Sequence, residues 1–131
     1  MSGLVAEPNG APSTVTVLVA VDTPHVREAL VAMLGALDGF QVVAEASSDD
    51  QALEMARQVR PHLAVVDQEL SGCNGCWAIQ VIQHERLANV IVAIGRRASS
   101  TLAETAGARA YVQVGTPPRD FVSTLQAVIA T

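Results

Sequence analysis

The chain contains no lysine: its eight basic residues, Arg27, Arg57, Arg60, Arg86, Arg96, Arg97, Arg109 and Arg119, are all arginines. That absence excludes Schiff-base chemistry and the phosphate-gripping ammonium of a P-loop, both of which need a flexible lysine side chain. Positive charge is scarce as well. Thirteen acids against eight bases leave a net charge of −5, and such a surface repels a phosphate backbone unless one face gathers its arginines. Only Arg96 and Arg97 are adjacent, so no nucleic-acid binding is expected of this chain alone. The longest apolar runs, such as Val15–Val21, are far too short to cross a bilayer, and no membrane association is expected. Met1–Pro12 is polar, acidic and small, without the basic start and apolar stretch of a secretory leader, which points to a cytoplasmic protein. Glycine-rich nucleotide loops and a glycine-flanked Ser/His/Asp arrangement are missing too, so no independent enzyme is expected.

What is present is core material. Half of the 131 residues are hydrophobic and only 16% are charged, which suits one folded domain and excludes disorder over most of the length. Residues 1–14 hold Gly3, Pro8, Gly10 and Pro12 without periodicity and predict a flexible tail ahead of a domain spanning 15–131. The remainder alternates. Val15–Val21 predicts a strand buried on both faces; Thr23-Pro24 predicts a capped helix with Val26, Leu30, Met33, Leu34 and Leu37 inward. Phe40–Glu45 predicts a second strand, and Ser48-Asp49-Asp50 opens a second helix that Pro61 stops. A third strand runs from His62 to Asp67, a third helix from Cys76 to Arg86, and a fourth strand from Val90 to Ile94. Residues 99–106 predict a short helix, Arg109–Val114 a fifth strand, and Thr116-Pro117-Pro118 starts a last helix with Phe121, Leu125, Val128 and Ile129 on one face. Strands alternating with helices imply an α/β fold, a doubly wound parallel sheet whose right-handed crossovers place helices on both faces. Chemistry in such sheets sits beyond the C-terminal strand ends.

Those ends carry Asp22 and Asp67, expected to face each other across adjacent strands. Paired carboxylates bind a hard divalent cation, or one of them accepts a phosphoryl group; alternatively both cap their turns. Cys73-Asn74-Gly75-Cys76 is a C-x-x-C that reads either as a redox or metal pair or as two small core residues. Trp77, the sole tryptophan, either anchors a partner from an exposed position or folds back over the loop. His62 is expected to be structural.

Three stretches resemble the receiver domains of two-component response regulators. Val19–Leu30 resembles their opening, Pro61–Gly75 the run around the phosphorylated aspartate, and Gly107–Val112 the approach to the fifth strand. The likeness covers roughly residues 15–130 in matching order, and is nearest to the subfamily that usually carries a helix-turn-helix output domain. It implies a flavodoxin-like fold, a five-stranded parallel sheet of order 2-1-3-4-5 with five helices, the fourth short. It also implies a bacterial phosphorelay component that takes a phosphoryl group from a histidine kinase with Mg²⁺, then dimerises through the fourth helix, fifth strand and fifth helix.

Residue by residue the match is partial. Asp67 aligns with the phosphoacceptor, Tyr111 with the switch aromatic and Asp22 with the second of the strand-one acids. The first of those acids is Val21. The family's hydroxyl position falls on Ile94 or Gly95, its lysine on Val114, and its loop proline on Ser71. Glu69 stands where the family offers a backbone carbonyl to the metal, and its carboxylate faces either the ion or solvent. One carboxylate fewer weakens Mg²⁺ binding, and a phosphoryl group on Asp67 would lack both of its usual partners. Arg96 and Arg97 are near in sequence, but neither aligns with the missing lysine. Three readings follow. The leading one is a degenerate, atypical receiver that acts by phosphorylation-independent protein contact. The others are a working phospho-receiver on Asp67 and a small-ligand or redox sensor using the vacated pocket or Cys73 and Cys76. An apolar pocket above Asp67, Val21, Ile94 and Val114 would favour the last.

Overall fold

A computed structural model describes residues 14–70 and 76–130; all but the last residue of the expected tail, together with Ser71, Cys73 and the loop between Leu70 and Cys76, lies outside them. Every residue of β1 (Val15–Ala20) is buried because a strand lies on either side of it and helices cover both faces. The other elements are α1 (Pro24–Gly35), β2 (Phe40–Ala46), α2 (Asp49–Val59), β3 (Leu63–Asp67), α3 (Trp77–His84), β4 (Val90–Gly95), α4 (Thr101–Ala106), β5 (Ala110–Gln113) and α5 (Pro118–Ala130). The strands form one parallel sheet of order β2-β1-β3-β4-β5, as the resemblance implies.

Side chains alternate across the sheet and feed two cores. Leu18, Ala20, Ala64, Val66 and Ala93 join Ile79 and Ile82 of α3 and the small residues of α2 and α4 on one face. Val17, Val19, Val65, Val92 and Ile94 meet Leu34 of α1 and Phe121 and Leu125 of α5 on the other. The β1–β2 register slips between Val17 and Leu18, which face Val42 and Ala44, so Val43 is the extra residue of a bulge.

Several boundaries differ from the sequence expectations for local reasons. Thr23 has the extended backbone of an N-cap, yet its hydroxyl donates to Asp22 Oδ1 at 3.3 Å and accepts from no helix N–H. Ser48 does cap α2, its Oγ accepting from the Gln51 N–H at 3.2 Å. The end of α2 is made by Arg60 in the left-handed region (φ 45°), one residue before Pro61. Helix α3 is shorter than expected, because Cys76 (φ 54°) precedes it and the chain turns at Arg86 (φ 55°). Helix α4 has only six residues, with Ser100 Oγ accepting from the Ala103 N–H at 3.0 Å. The backbone N–H of His62 donates to the buried Thr16 Oγ1 at 3.0 Å, and burial pushes its imidazole below the usual histidine range.

Candidate functional site

The C-terminal ends of β1, β3, β4 and β5 enclose a cavity of about 290 Å³ lined by Asp22, Thr23, Val26, Asp67, Glu69, Gly95, Arg96 and Val114. Asp22 and Asp67 are therefore brought together, and Glu69 joins them. Asp67 ends β3 half-buried, and its Oδ1 accepts from the Glu69 N–H at 2.9 Å, an Asx-type turn. Burial raises its carboxyl above the usual carboxylate range; the Glu69 hydrogen bond and Arg96 oppose this, while Asp22 and Glu69 add to it.

A carboxylate whose folded pKa is raised is charged at neutral pH at a cost to the fold, and the cost disappears as pH falls through the folded value toward the unfolded one. Asp67→Asn is therefore expected to raise the urea midpoint at pH 7, with the gain vanishing at about pH 4, where an unfolded aspartate titrates. An unchanged or lowered midpoint at pH 7 would contradict the placement.

The other aligned positions are occupied as follows. Val21 is 0% exposed and packed in the core, which removes the position from any ion-binding role. Ile94 also points into the core, Gly95 has no side chain, and Val114 stands 39% exposed at the mouth of the cavity. Arg96, which does not align with the lost lysine, nonetheless lines the acidic cavity, while Arg97 lines a neighbouring one with Gln68 and Glu69. Among the described residues no three His, Cys, Asp or Glu side chains converge as a metal-binding group. Asp22, Asp67 and Glu69 line the same cavity and are the carboxylates it offers a divalent ion, while the buried, apolar Val21 adds none.

Tyr111 is held by partners that the sequence did not foretell. Its hydroxyl donates to the Arg97 carbonyl at 2.7 Å and accepts from Gln68 Nε2 at 3.4 Å. Gln68 is 7% exposed and its own N–H bonds to the Ile94 carbonyl at 2.9 Å. The ring oxygen can sit there because position 95 is glycine. A Cβ at Gly95 would lie 2.5 Å from the Tyr111 hydroxyl and 2.7 Å from Gln68 Nε2. A glycine at a strand end marks close approach by a neighbour, so this much was open to sequence reasoning. Arg27 was not: its Nη1 donates to the Val21 carbonyl at 2.7 Å and so ties α1 to the segment carrying Asp22.

Trp77 is 43% exposed and lines a groove with Thr105 and Ala106 of α4. Cys76 is buried and sits just ahead of α3. An apolar cavity does exist near the strand ends, lined by Ile94 and Val114, but it lies on the α1–α5 side and Asp67 and Val21 are not among its walls.

A doubly wound parallel sheet with aspartates after β1 and at the end of β3 defines a flavodoxin-like α/β domain with an acidic pocket at the sheet's carboxyl edge. The response regulator receiver domain family matches residues 17–124, and the chain belongs to that family. It is 29% identical to the response regulator GacA of Pseudomonas protegens over 119 residues, covering 88% of this chain and 56% of the relative. It is 28% identical to the transcriptional regulatory protein PdtaR of Mycobacterium tuberculosis, again covering 56% of the relative and 87% of this chain. The chain thus spans just over half the length of these curated relatives. Among solved structures, a two-component response regulator of the LuxR family from Aurantimonas sp. SI85-9A1 superposes with a TM-score of 0.80 at 30% identity, covering 90% of this chain and 86% of that one. The protein is a receiver domain of a bacterial two-component response regulator. Receiver domains are generally non-enzymatic; they typically bind Mg²⁺ at the phosphorylation site, interact with histidine kinases and often dimerise. Among the described residues no helix is long and apolar enough to cross a membrane.

Proposed function

We propose that this receiver is degenerate and signals in the cytoplasm by phosphorylation-independent protein contact, with Asp67 as a phosphoacceptor-like residue that the mechanism does not require. The observation that carries this reading is the state of Tyr111. In the family the aromatic of β5 responds to the phosphorylated site; here its hydroxyl is already fixed by Arg97 and Gln68 without help from Asp67. The apolar Val114 and side-chain-less Gly95 leave the aspartate without the groups that would couple it to the switch.

The test is acetyl phosphate with excess Mg²⁺, read by intact mass beside an Asp67→Ala control. No adduct is expected, and beryllofluoride should leave the amide spectrum unchanged. An adduct that is lost in the control would overturn the reading and favour phosphoryl transfer to Asp67. Arg96 is the observation on that side, since it brings a guanidinium into the acidic cavity.

The contact surface fits the face of α4, β5 and α5, used between two copies of the chain. Leu102 on α4 is 63% exposed, the most exposed large apolar side chain described. Leu102→Glu is expected to shift a dimer to monomer in sedimentation velocity while leaving the fold intact. A dimer unchanged by that charge would place the interface elsewhere.

A further inference from the structure

The apolar cavity on the α1–α5 side measures about 290 Å³, the low end of the size that holds a small ligand. Its walls come from Leu30 and Met33 of α1, Val112 of β5 and Phe121 of α5, together with Val26 and Val114. Val26 and Val114 also border the acidic cavity, so the two spaces adjoin across these side chains. On the acidic side three carboxylates, Asp22, Asp67 and Glu69, face one guanidinium, Arg96. On the apolar side His25 is the sole ionisable wall residue. Val114 stands where the resemblance places a lysine, so the ammonium that would occupy this corner of a receiver is replaced by an apolar surface beside three carboxylates that one guanidinium offsets only in part.

We propose that the paired cavities form a binding site for a small organic ammonium with an apolar body, its alkyl or aryl part in the α1–α5 cavity and its cationic head among Asp22, Asp67 and Glu69. The complementarity is double. The apolar walls reward each methylene, and the carboxylates select a positive head over a neutral or negative one. A bare divalent ion satisfies only the second condition. This site goes beyond the proposed protein contact and stands whether or not Asp67 accepts phosphate.

The experiment titrates the full chain with butylamine, hexylamine, hexanol, hexanoate and ammonium chloride, followed by methyl resonances of Val26, Leu30, Val112 and Val114. Hexylamine is expected to shift all four and to bind about tenfold or more tighter than butylamine, as two added methylenes require. Hexanol should bind about tenfold more weakly, and hexanoate and ammonium ion should leave the apolar methyls unmoved. Val114→Lys, which supplies a tethered ammonium at an exposed position, should abolish hexylamine binding, and Asp22→Asn should weaken it. Equal binding of hexylamine and hexanoate, no dependence on chain length, or undiminished binding to Val114→Lys in a protein with a native spectrum would each overturn the proposal. Phosphorylation of Asp67 in the acetyl phosphate test would overturn the functional reading without touching this one.

Discussion

Gly95→Ala is expected to expel the Tyr111 hydroxyl from its seat and to cost about 2–3 kcal/mol of stability. The new Cβ would lie 2.5 Å from the tyrosine oxygen and 2.7 Å from Gln68 Nε2, distances that a carbon and an unbonded heavy atom do not hold. Both are the far ends of flexible side chains, so the ring moves and the backbone of β4 stays. The cost then comes from broken hydrogen bonds. Tyr111 gives up its 2.7 Å bond to the Arg97 carbonyl, and the buried Gln68 amide loses its partner on the ring. Each net hydrogen bond contributes about 1 kcal/mol, and a buried amide left without a partner adds about 1–3 kcal/mol. Urea unfolding gives the stability, and the Tyr111 ring resonances report the displacement. Tyr111→Phe is the companion variant: it removes the same bonds without crowding, and should cost about as much. A Gly95→Ala protein with native stability and an unmoved ring would mean that the latch is not built as described, and the proposed function would lose its carrying observation.

The contrast between that latch and the rest of the fold shows what was readable in the residues themselves. The strand and helix order was visible because β-branched runs such as Val15–Val21 and Val90–Ile94 alternate with helical spacing and punctuating Gly and Pro. The sheet order came from the resemblance, since parallel pairing leaves no local mark. Helix ends were less legible. Whether Thr23 bonds to the helix or to Asp22, or whether Arg60 or Pro61 makes the turn, is settled by single torsions and not by composition. At the site, Asp22 and Asp67 could be placed together from their position at strand ends. The approach of Arg96 to the acidic cavity, of Arg27 to the Val21 carbonyl and of Gln68 to Tyr111 could not. Each is made by a long polar side chain with many rotamers, and no spacing rule constrains such contacts.

The second large effect is expected at Leu34, and it follows from how thinly α1 is attached. Leu34 is the one fully buried side chain of that helix. Val26, Leu30, Val31 and Met33 are partly exposed, and the first, second and last of them border the apolar cavity. Leu34→Ala should therefore cost about 3 kcal/mol, within the range of about 2–5 kcal/mol for emptying a packed leucine site. Leu30→Ala, on a wall already open to the cavity, should cost about 1 kcal/mol because less apolar surface leaves water there on folding. Against a total stability of about 5–15 kcal/mol the first loss is large enough to appear as a lower midpoint in urea. Its location can be read as well. Amides of α1 should lose hydrogen-exchange protection first, while those of β3 and β4 keep theirs. The loosening should then reach the site, because Arg27 of α1 holds the Val21 carbonyl at 2.7 Å and Asp22 follows directly. In Leu34→Ala, resonances of Val21 and Asp22 should broaden together with those of α1. A variant that costs less than about 1 kcal/mol, or one that unfolds uniformly across the sheet, would show that α1 is anchored elsewhere and that the acidic cavity does not depend on it.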